Sequence, residues 1–256
     1  MSYAAEIIRA HWLAGLNSVE KTGKQRMSDF ALSDRTVAFF SPVQENRFEI
    51  SYGDEETIKK VLAFEYSRYS VAALQTVSLL SRDGHTFDKF NFSWRLVEAY
   101  YASFYAAHSL LRLCGKTVTF MPSPVVKQLE RIADGYSQLN GERISKGTYF
   151  SIVDLTSKTI LFSKVDINAG GHQVFWKIFK KWLVEIREFA EQSSNSHTYF
   201  KNYIAASKVF ETTLGKDGDW SSSQRNIVNY HVPEREWFPF SGSLRSSILR
   251  NDFSEN

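Results

Sequence analysis

A short polar stretch near the C-terminus, WSSSQRNIVNYH, contains the residue types that RNA cleavage requires. Arg225 is followed six residues later by His231, with Asn226, Asn229 and Tyr230 between them. Cleavage of RNA through its own 2′-hydroxyl needs a group with a pKa near neutrality and a fixed cation for the charge that grows on the phosphate. Because histidine supplies the first and arginine the second, Arg225 and His231 are candidate catalytic residues that need no metal ion.

The spacing of this pair sets a geometric condition. A short helix can run from residues 221–223 to about His231, where Pro233 ends it because the residue before a proline avoids the helical conformation. At 100° per residue, His231 points about 120° away from Arg225 and lies ~9 Å further along the axis. The two side chains can meet if the last turn unwinds, or if a two-fold axis sets the helix beside its copy in a second subunit. The competing interpretation is a polar helix end at which Arg225 pairs with a surface carboxylate.

The strongest structural pattern in the chain lies in residues 92–115. Apolar residues recur there at helical spacing, and Gly115 is suited to the left-handed conformation that ends a helix. This segment predicts a buried central helix that also carries Glu98 and His108. His108 is either a hydrogen-bonded core residue or a supporting residue of a cleft, and an ionised Glu98 in that cleft would need an arginine as its partner.

The rest of the chain is predicted to be mostly helical. Residues 35–40 and 47–52 predict a small β-hairpin, while residues 149–162 fit either a helix or a strand. Further helices are predicted over residues 4–19, 54–81, 124–133, 172–191 and 196–214. The predicted fold is therefore mainly α, an antiparallel helical bundle with a small N-terminal β-hairpin. We expect residues 1–53 to form an extension with the first helix and the hairpin, and residues 54–256 to form the bundle and a C-terminal tail.

Composition and motifs exclude several classes of protein. The single cysteine, Cys114, excludes a disulfide framework, and the six histidines lack the spacing of metal ligands. The sequence contains no GxxxxGK[ST], GxGxxG or GxSxG motif, which argues against the nucleotide hydrolases, dinucleotide enzymes and serine hydrolases that use them. We expect neither a metal nor another cofactor.

The distribution of charge bears on location and partners. No run of 18 or more uncharged apolar residues occurs, and Glu6 and Arg9 interrupt the apolar start of the chain. We therefore expect a cytoplasmic protein that does not enter the membrane. A net charge of +3 permits an anionic partner such as RNA without demanding one.

Two stretches together resemble the HEPN family (higher eukaryotes and prokaryotes nucleotide-binding domains), a group of small helical bundles. WRLVEAYYASFYAAHSLLRLCG is similar to the central helix of the family, and RNIVNYH is similar to its Arg-x(4–6)-His signature, including the Asn after the Arg. The resemblance covers about residues 54–240. The chain departs from one subgroup, in which a Tyr two residues after the His is a modification target, because position 233 is Pro.

The resemblance implies a homodimer in which two Arg–His motifs line one cleft. It also implies a hydrolase of RNA that leaves a 2′,3′-cyclic phosphate and a 5′-hydroxyl, with a place in toxin–antitoxin or antiviral defence systems of bacteria. Arg225 and His231 would be its catalytic pair, with Asn226 orienting Arg225 or the phosphate. Two alternatives stay open: a non-catalytic HEPN protein that binds RNA or a nucleotide, and an interaction subunit that docks on an antitoxin or a defence partner through an exposed apolar patch.

Overall fold

The fold combines helices with a β-sheet. The computed structural model describes residues 8–20, 23–32, 37–39, 41–82, 92–165, 170–192, 198–215, 218 and 220–230, of which 37, 82, 92–93, 198–200 and 228–230 have only their backbone described. Within these ranges 61% of the residues are helical, and seven helices accompany a five-stranded antiparallel sheet. The prediction of a mainly α bundle with a small hairpin is therefore wrong, because the described part of the chain is a mixed α/β fold.

Five strands form the sheet, and they come from two separate parts of the chain. Their order is β1-β2-β5-β4-β3, and every neighbouring pair is antiparallel. Phe48 on β2 lies opposite Phe162 on β5, and their stacked rings are 5.1 Å apart. The predicted hairpin, β1 with β2, is thus one edge of a larger sheet. The strands are β1 (Val37–Phe39), β2 (Arg47–Tyr52), β3 (Lys116–Met121), β4 (Gly147–Asp154) and β5 (Thr159–Lys164).

The segment that fitted either a helix or a strand folds as the β4–β5 hairpin. Every second residue of β4 is buried, which is the pattern of a strand with one face on a core. The turn follows Asp154, whose Oδ1 accepts hydrogen bonds from the backbone N–H groups of Thr156 at 2.7 Å and Ser157 at 3.3 Å. Lys158 completes the turn with a φ of 55°. A carboxylate turn of this kind favours the hairpin over a continuous helix.

Two long helices, α2 and α3, pack against each other in antiparallel orientation. Ser70 and Ser109 join them by a hydrogen bond of 2.6 Å, and Arg95 Nη1 donates to the carbonyl of Leu79 at 3.4 Å. None of the described helices is long and apolar enough to cross a membrane. The helices are α1 (Met27–Phe30), α2 (Glu55–Arg82), α3 (Phe92–Leu113), α4 (Ser123–Gly135), α5 (Gly171–Gln192), α6 (Thr198–Thr213) and α7 (Trp220–Tyr230).

Two glycines with left-handed φ angles shape the chain, one in the N-terminal region and one at the end of α3. The predicted first helix is replaced over residues 10–18 by turns and a short 3-10 helix, because Gly15 takes a left-handed φ of 73°. Gly115 ends α3 with a φ of 68°, which confirms its predicted role. A Cβ at Gly115 would lie 2.9 Å from Leu13 Cδ1, so a larger residue there would also displace the Leu13 side chain.

Two apolar cores hold the elements together. The first joins the sheet to the start of α2 and to α4, with Ile58, Leu62 and Leu129 fully buried against the strands. The second joins α3, α5 and α6, with Leu111 and Trp176 among its buried members. The first core draws on residues on both sides of position 54, where the sequence predicts a domain boundary, and that boundary stays a prediction.

Candidate functional site

Arg225 lies on α7, which packs against α3. Its Nη2 donates a hydrogen bond to the Tyr101 hydroxyl at 2.7 Å, and its Nη1 donates to Asn226 Oδ1 at 2.9 Å. The guanidinium carbon also lies 5.6 Å from the centre of the Tyr101 ring, within the range of a cation–π interaction. The Tyr101 hydroxyl and the Asn226 amide oxygen are neutral acceptors that orient the guanidinium.

A second set of hydrogen bonds joins α3 to the start of α5, next to Arg225. The Trp176 indole donates to the Tyr100 hydroxyl at 3.1 Å, and that hydroxyl lies 2.9 Å from His172 Nδ1. The ring of the neighbouring Tyr101 lies 6.0 Å from the His172 ring in edge-to-face contact. Tyr101 therefore contacts both the imidazole of His172 and the guanidinium of Arg225. We call Tyr100, Tyr101, His172 and Arg225 the arginine–tyrosine cluster.

The charge of Arg225 reaches the other members of this cluster. Burial lowers the pKa of His172 below its ordinary value, and the positive charge of Arg225 lowers it further. Burial raises the pKa of Tyr100 to about 12, against the opposing effects of the Trp176 hydrogen bond and of Arg225. At neutral pH the cluster thus contains a neutral imidazole at His172, a neutral phenol at Tyr100 and the guanidinium cation of Arg225. This combination offers hydrogen bonds and one positive charge to an anion.

The other residues of the polar stretch are only partly within the described structure. Asn229 and Tyr230 continue the α7 backbone, which runs from Trp220 to Tyr230 as one helix. His231 lies outside the described residues. The structure brings Arg225 together with Asn226, and the predicted pairing of Arg225 with His231 stays a prediction.

His108 belongs to a separate, buried group with Arg112 and Glu65. Arg112 Nε donates to Glu65 Oε2 at 2.7 Å, and its Nη1 lies 3.0 Å from His108 Nδ1. The other Glu65 oxygen accepts the backbone N–H of Met27 at 3.1 Å, which ties α1 to α2 and α3. The three residues have at most 6% of their surface exposed. We call Glu65, His108 and Arg112 the buried ion-pair cluster.

The state of His108 follows from its partner. An arginine can only donate, so Nδ1 of His108 accepts and the ring is neutral with its proton on Nε2. Burial, followed by the charges of Arg112 and His172, holds the pKa of His108 well below its ordinary value. The ring stacks on Phe175 with their centres 3.8 Å apart. This placement is that of a hydrogen-bonded core histidine, one of the two interpretations that the sequence allowed.

Glu98 is held within its own helix. Its carboxylate accepts a hydrogen bond from Arg95 Nη1 at 3.2 Å, and both side chains are partly buried. Arg95 is thus an arginine partner of the kind that the sequence required for Glu98. The supporting role proposed for Glu98 stays a prediction.

Sequence reasoning missed three members of the arginine–tyrosine cluster. His172 looked isolated because its hydrogen-bond partner Tyr100 lies 72 residues away in the chain, on a helix that was interpreted as core. The doubled tyrosine at positions 100 and 101 was the available signal. Two consecutive residues on a helix point about 100° apart, so one hydroxyl can meet α5 while the other meets α7.

The described residues contain no group of three or more His, Cys, Asp or Glu that could bind a metal ion. No protein-family model, curated protein or solved structure matches this chain.

Proposed function

We propose that the protein is a metal-independent endoribonuclease that uses Arg225 and His231 as its catalytic pair, in a cleft between two copies of the chain. The observation that carries this proposal is the setting of Arg225, a partly buried guanidinium oriented by the neutral acceptors of Tyr101 and Asn226. A fixed cation in an aromatic environment stabilises the charge that grows on a phosphate more strongly than the same cation in water. The HEPN resemblance points to the same arginine.

The proposed reaction needs two proton transfers. The 2′-oxygen attacks phosphorus and gives its proton to a base, and the 5′-oxygen leaves with a proton from an acid. The imidazole of one His231 can serve both steps, because it accepts the proton of the 2′-hydroxyl and can then donate it to the departing 5′-oxygen. Arg225 donates to the non-bridging oxygens throughout. The products are a 2′,3′-cyclic phosphate and a 5′-hydroxyl.

Cleavage of labelled RNA in the presence of EDTA tests the reaction. We expect Arg225→Ala and His231→Ala to reduce the rate by about 100-fold or more. Arg131→Ala is the matched control, because Arg131 is an exposed arginine on α4, which belongs to the other core. Equal cleavage by all three variants, or the absence of cleavage by the unaltered protein under every activating condition, would overturn the proposal.

Mixing the two inactive variants tests the shared cleft. If each site takes Arg225 from one copy and His231 from the other, a mixed dimer of Arg225→Ala and His231→Ala chains keeps one intact site of two. Random exchange of subunits should then restore about one quarter of the unaltered activity. No restoration, in a mixture shown to exchange subunits, would indicate that both groups come from one chain through an unwound last turn.

The setting that we propose is the cytoplasm of a bacterial cell, where RNA is the substrate. A toxin–antitoxin or antiviral defence system would then require a cognate partner that restrains or triggers the nuclease.

A second candidate function, an interaction subunit of such a system, is favoured by an exposed apolar surface on α2 and α3. Leu79 and the start of α3 lie side by side, as the contact of Arg95 with the Leu79 carbonyl demonstrates. We call this set the apolar hairpin surface: Val71, Leu74, Val77, Leu79, Trp94 and Leu96.

Comparing variants in cells separates the two functions. An interaction subunit should lose its protective or toxic effect on Leu74→Asp and keep it on Arg225→Ala, whereas a nuclease should show the reverse. Val209→Asp is the matched control, since Leu74 and Val209 are both 68% exposed and Val209 lies on α6. Loss of the effect in all three variants would reject the interaction subunit.

A further inference from the structure

We infer that His172 is a phosphate-binding residue of the proposed nuclease: its Nε2–H donates a hydrogen bond to the backbone of the RNA strand that Arg225 binds. This inference rests on the proposed function for the identity of the ligand. The hydrogen bonds of Tyr100 determine the tautomer of His172 and therefore which ring nitrogen is the donor.

The Tyr100 hydroxyl fixes the tautomer of His172. This hydroxyl has two partners in the described structure, the Trp176 indole at 3.1 Å and His172 Nδ1 at 2.9 Å. An indole N–H can only donate, so the hydroxyl oxygen accepts from Trp176. Tyr100 is only 8% exposed, and a hydroxyl proton left unpaired there would cost free energy. The proton is satisfied when it is donated to Nδ1, which makes Nδ1 an acceptor and leaves the imidazole proton on Nε2.

The Nε2–H group is available to a ligand. Within the described residues His172 makes its hydrogen bond through Nδ1, and Nε2 is not among the buried polar atoms that lack a partner. The N–H bond at Nε2 diverges widely from the hydrogen bond between Nδ1 and Tyr100, because the two nitrogens are separated by Cε1 in a planar ring. His172 is partly exposed, which gives solvent and ligand access to the ring.

The position of His172 relative to Arg225 suits one anionic strand. The Tyr101 ring lies between them, 6.0 Å from the imidazole and 5.6 Å from the guanidinium carbon. The same cation disfavours a charged His172, so the imidazole acts as a neutral donor near pH 7. A phosphodiester backbone repeats its charged oxygens along the strand and can accept from both residues.

Two substitutions of His172 separate the outward donor from the internal hydrogen bond. The amide nitrogen of Gln reaches the position of Nε2, so His172→Gln keeps the outward donor and loses the acceptor for Tyr100. The amide oxygen of Asn reaches the position of Nδ1, so His172→Asn keeps that acceptor and loses the outward donor. A purely structural role predicts that Asn is the better replacement, whereas phosphate binding predicts that Gln is.

The probe is a fluorescent single-stranded RNA with 2′-O-methyl groups, which cannot be cleaved through its 2′-hydroxyl. In EDTA we expect His172→Asn to weaken its binding about tenfold, which corresponds to ~1.4 kcal/mol, and His172→Gln to weaken it less than threefold, because only the Asn variant loses the hydrogen bond to the charged phosphate. Nitrogen-15 NMR of the unaltered protein should display a His172 signal with Nε2 protonated and Nδ1 as acceptor. Tyr100→Phe should shift that signal toward a mixture of tautomers.

The outcomes distinguish this inference from the proposed function. Binding that depends on His172 in a protein that never cleaves RNA would support the inference and reject the nuclease. Cleavage that depends on Arg225, with unaltered binding and activity in His172→Asn, would reject the inference and keep the nuclease. A His172 signal protonated at Nδ1, or equal binding by the Gln and Asn variants, would overturn the inference.

Discussion

Two polar clusters include residues of α3. Each contains an arginine and a histidine, but the two arginines have partners of different electrostatic character. In the buried ion-pair cluster, Arg112 is neutralised by Glu65 at 2.7 Å. In the arginine–tyrosine cluster, Arg225 is oriented by the neutral side chains of Tyr101 and Asn226. In the first arrangement a carboxylate meets the guanidinium, whereas in the second a hydroxyl and an amide oxygen orient it, as the proposed phosphate contact requires. Partners, rather than residue types, therefore separate a structural histidine–arginine pair from a candidate site.

The two clusters are also in contact. The Phe104 ring lies 4.5 Å from the ring of His108 and 4.5 Å from that of His172, so one aromatic side chain separates the two imidazoles. Each imidazole accepts a hydrogen bond at Nδ1, from Arg112 in one case and from Tyr100 in the other. Charge on His172 lowers the pKa of His108, so the clusters are electrostatically linked.

The largest expected effect tests the structural side of the comparison. Glu65→Ala leaves Arg112 as an uncompensated buried cation and should lower the free energy of unfolding by about 3–5 kcal/mol. Chemical denaturation monitored by circular dichroism measures it. The double variant Glu65→Leu with Arg112→Met should recover most of the loss, because it removes both charges. If Glu65→Ala is as stable as the unaltered protein, the ion pair does not hold the helices together.

The next effect tests the functional side. Arg225→Lys keeps the charge but loses the planar set of donors that meets Tyr101 and Asn226, so RNA cleavage should fall by roughly 10- to 100-fold. The melting temperature should change little, because the side chain is only partly buried. Cleavage rates and thermal unfolding of the same preparation measure both. A large loss of stability would place Arg225 with Arg112 as a structural residue.

A smaller effect concerns pH. The pKa of His108 in the folded protein lies well below 6.5, its value in an unfolded chain, so the unfolded state binds more protons once the pH falls below 6.5. The contribution of neutral His108 to the free energy of unfolding is therefore complete above pH 6.5. It is lost as the pH falls toward the pKa of His108 in the folded protein, at no more than about 1.4 kcal/mol per pH unit. His172 contributes with the same sign. Denaturation between pH 7 and 5 should give a shallower slope in His108→Gln, and an unchanged slope would show that His108 is not neutral in the folded state.

The smallest effect comes from the ion pair of Glu98 with Arg95. Because this pair is partly exposed and lies within one helix, Glu98→Gln should change the free energy of unfolding by less than about 1 kcal/mol. The same denaturation measurement applies. A loss as large as that of Glu65→Ala would contradict the distinction between buried and surface pairs on α3.

The sequence predicted the elements whose signals are local. The helical periodicity of residues 92–115, the left-handed Gly115 and the edge hairpin of β1 with β2 all appear in the structure. The sequence did not predict the full sheet, because residues 149–162 consist of short apolar runs and distant strands decide how those runs pair. β5 becomes a central strand only through its contact with β2, and no local pattern encodes that contact.

The candidate site divides in the same way. The spacing of Arg225 and His231 marked a polar stretch on a helix, and the structure places Arg225 against Tyr101 of α3 and Asn226 against Arg225. The participation of His172 depends on how α5 crosses α3, which the sequence does not specify. A buried tyrosine hydroxyl needs a partner, so the two tyrosines at the start of the central helix were a signal that such a partner exists.

The strand order has a consequence during synthesis of the protein. Since β2 pairs with β5, the residues of β2 emerge from the ribosome long before the strand that completes their hydrogen bonds. Until then Phe48 and Ile50, which are fully buried in the folded molecule, have no finished sheet to enter. Non-local pairing of this kind slows folding and leaves an unpaired strand edge exposed to aggregation. A chain released too early, or one that stalls before residue 159, should therefore depend strongly on chaperones.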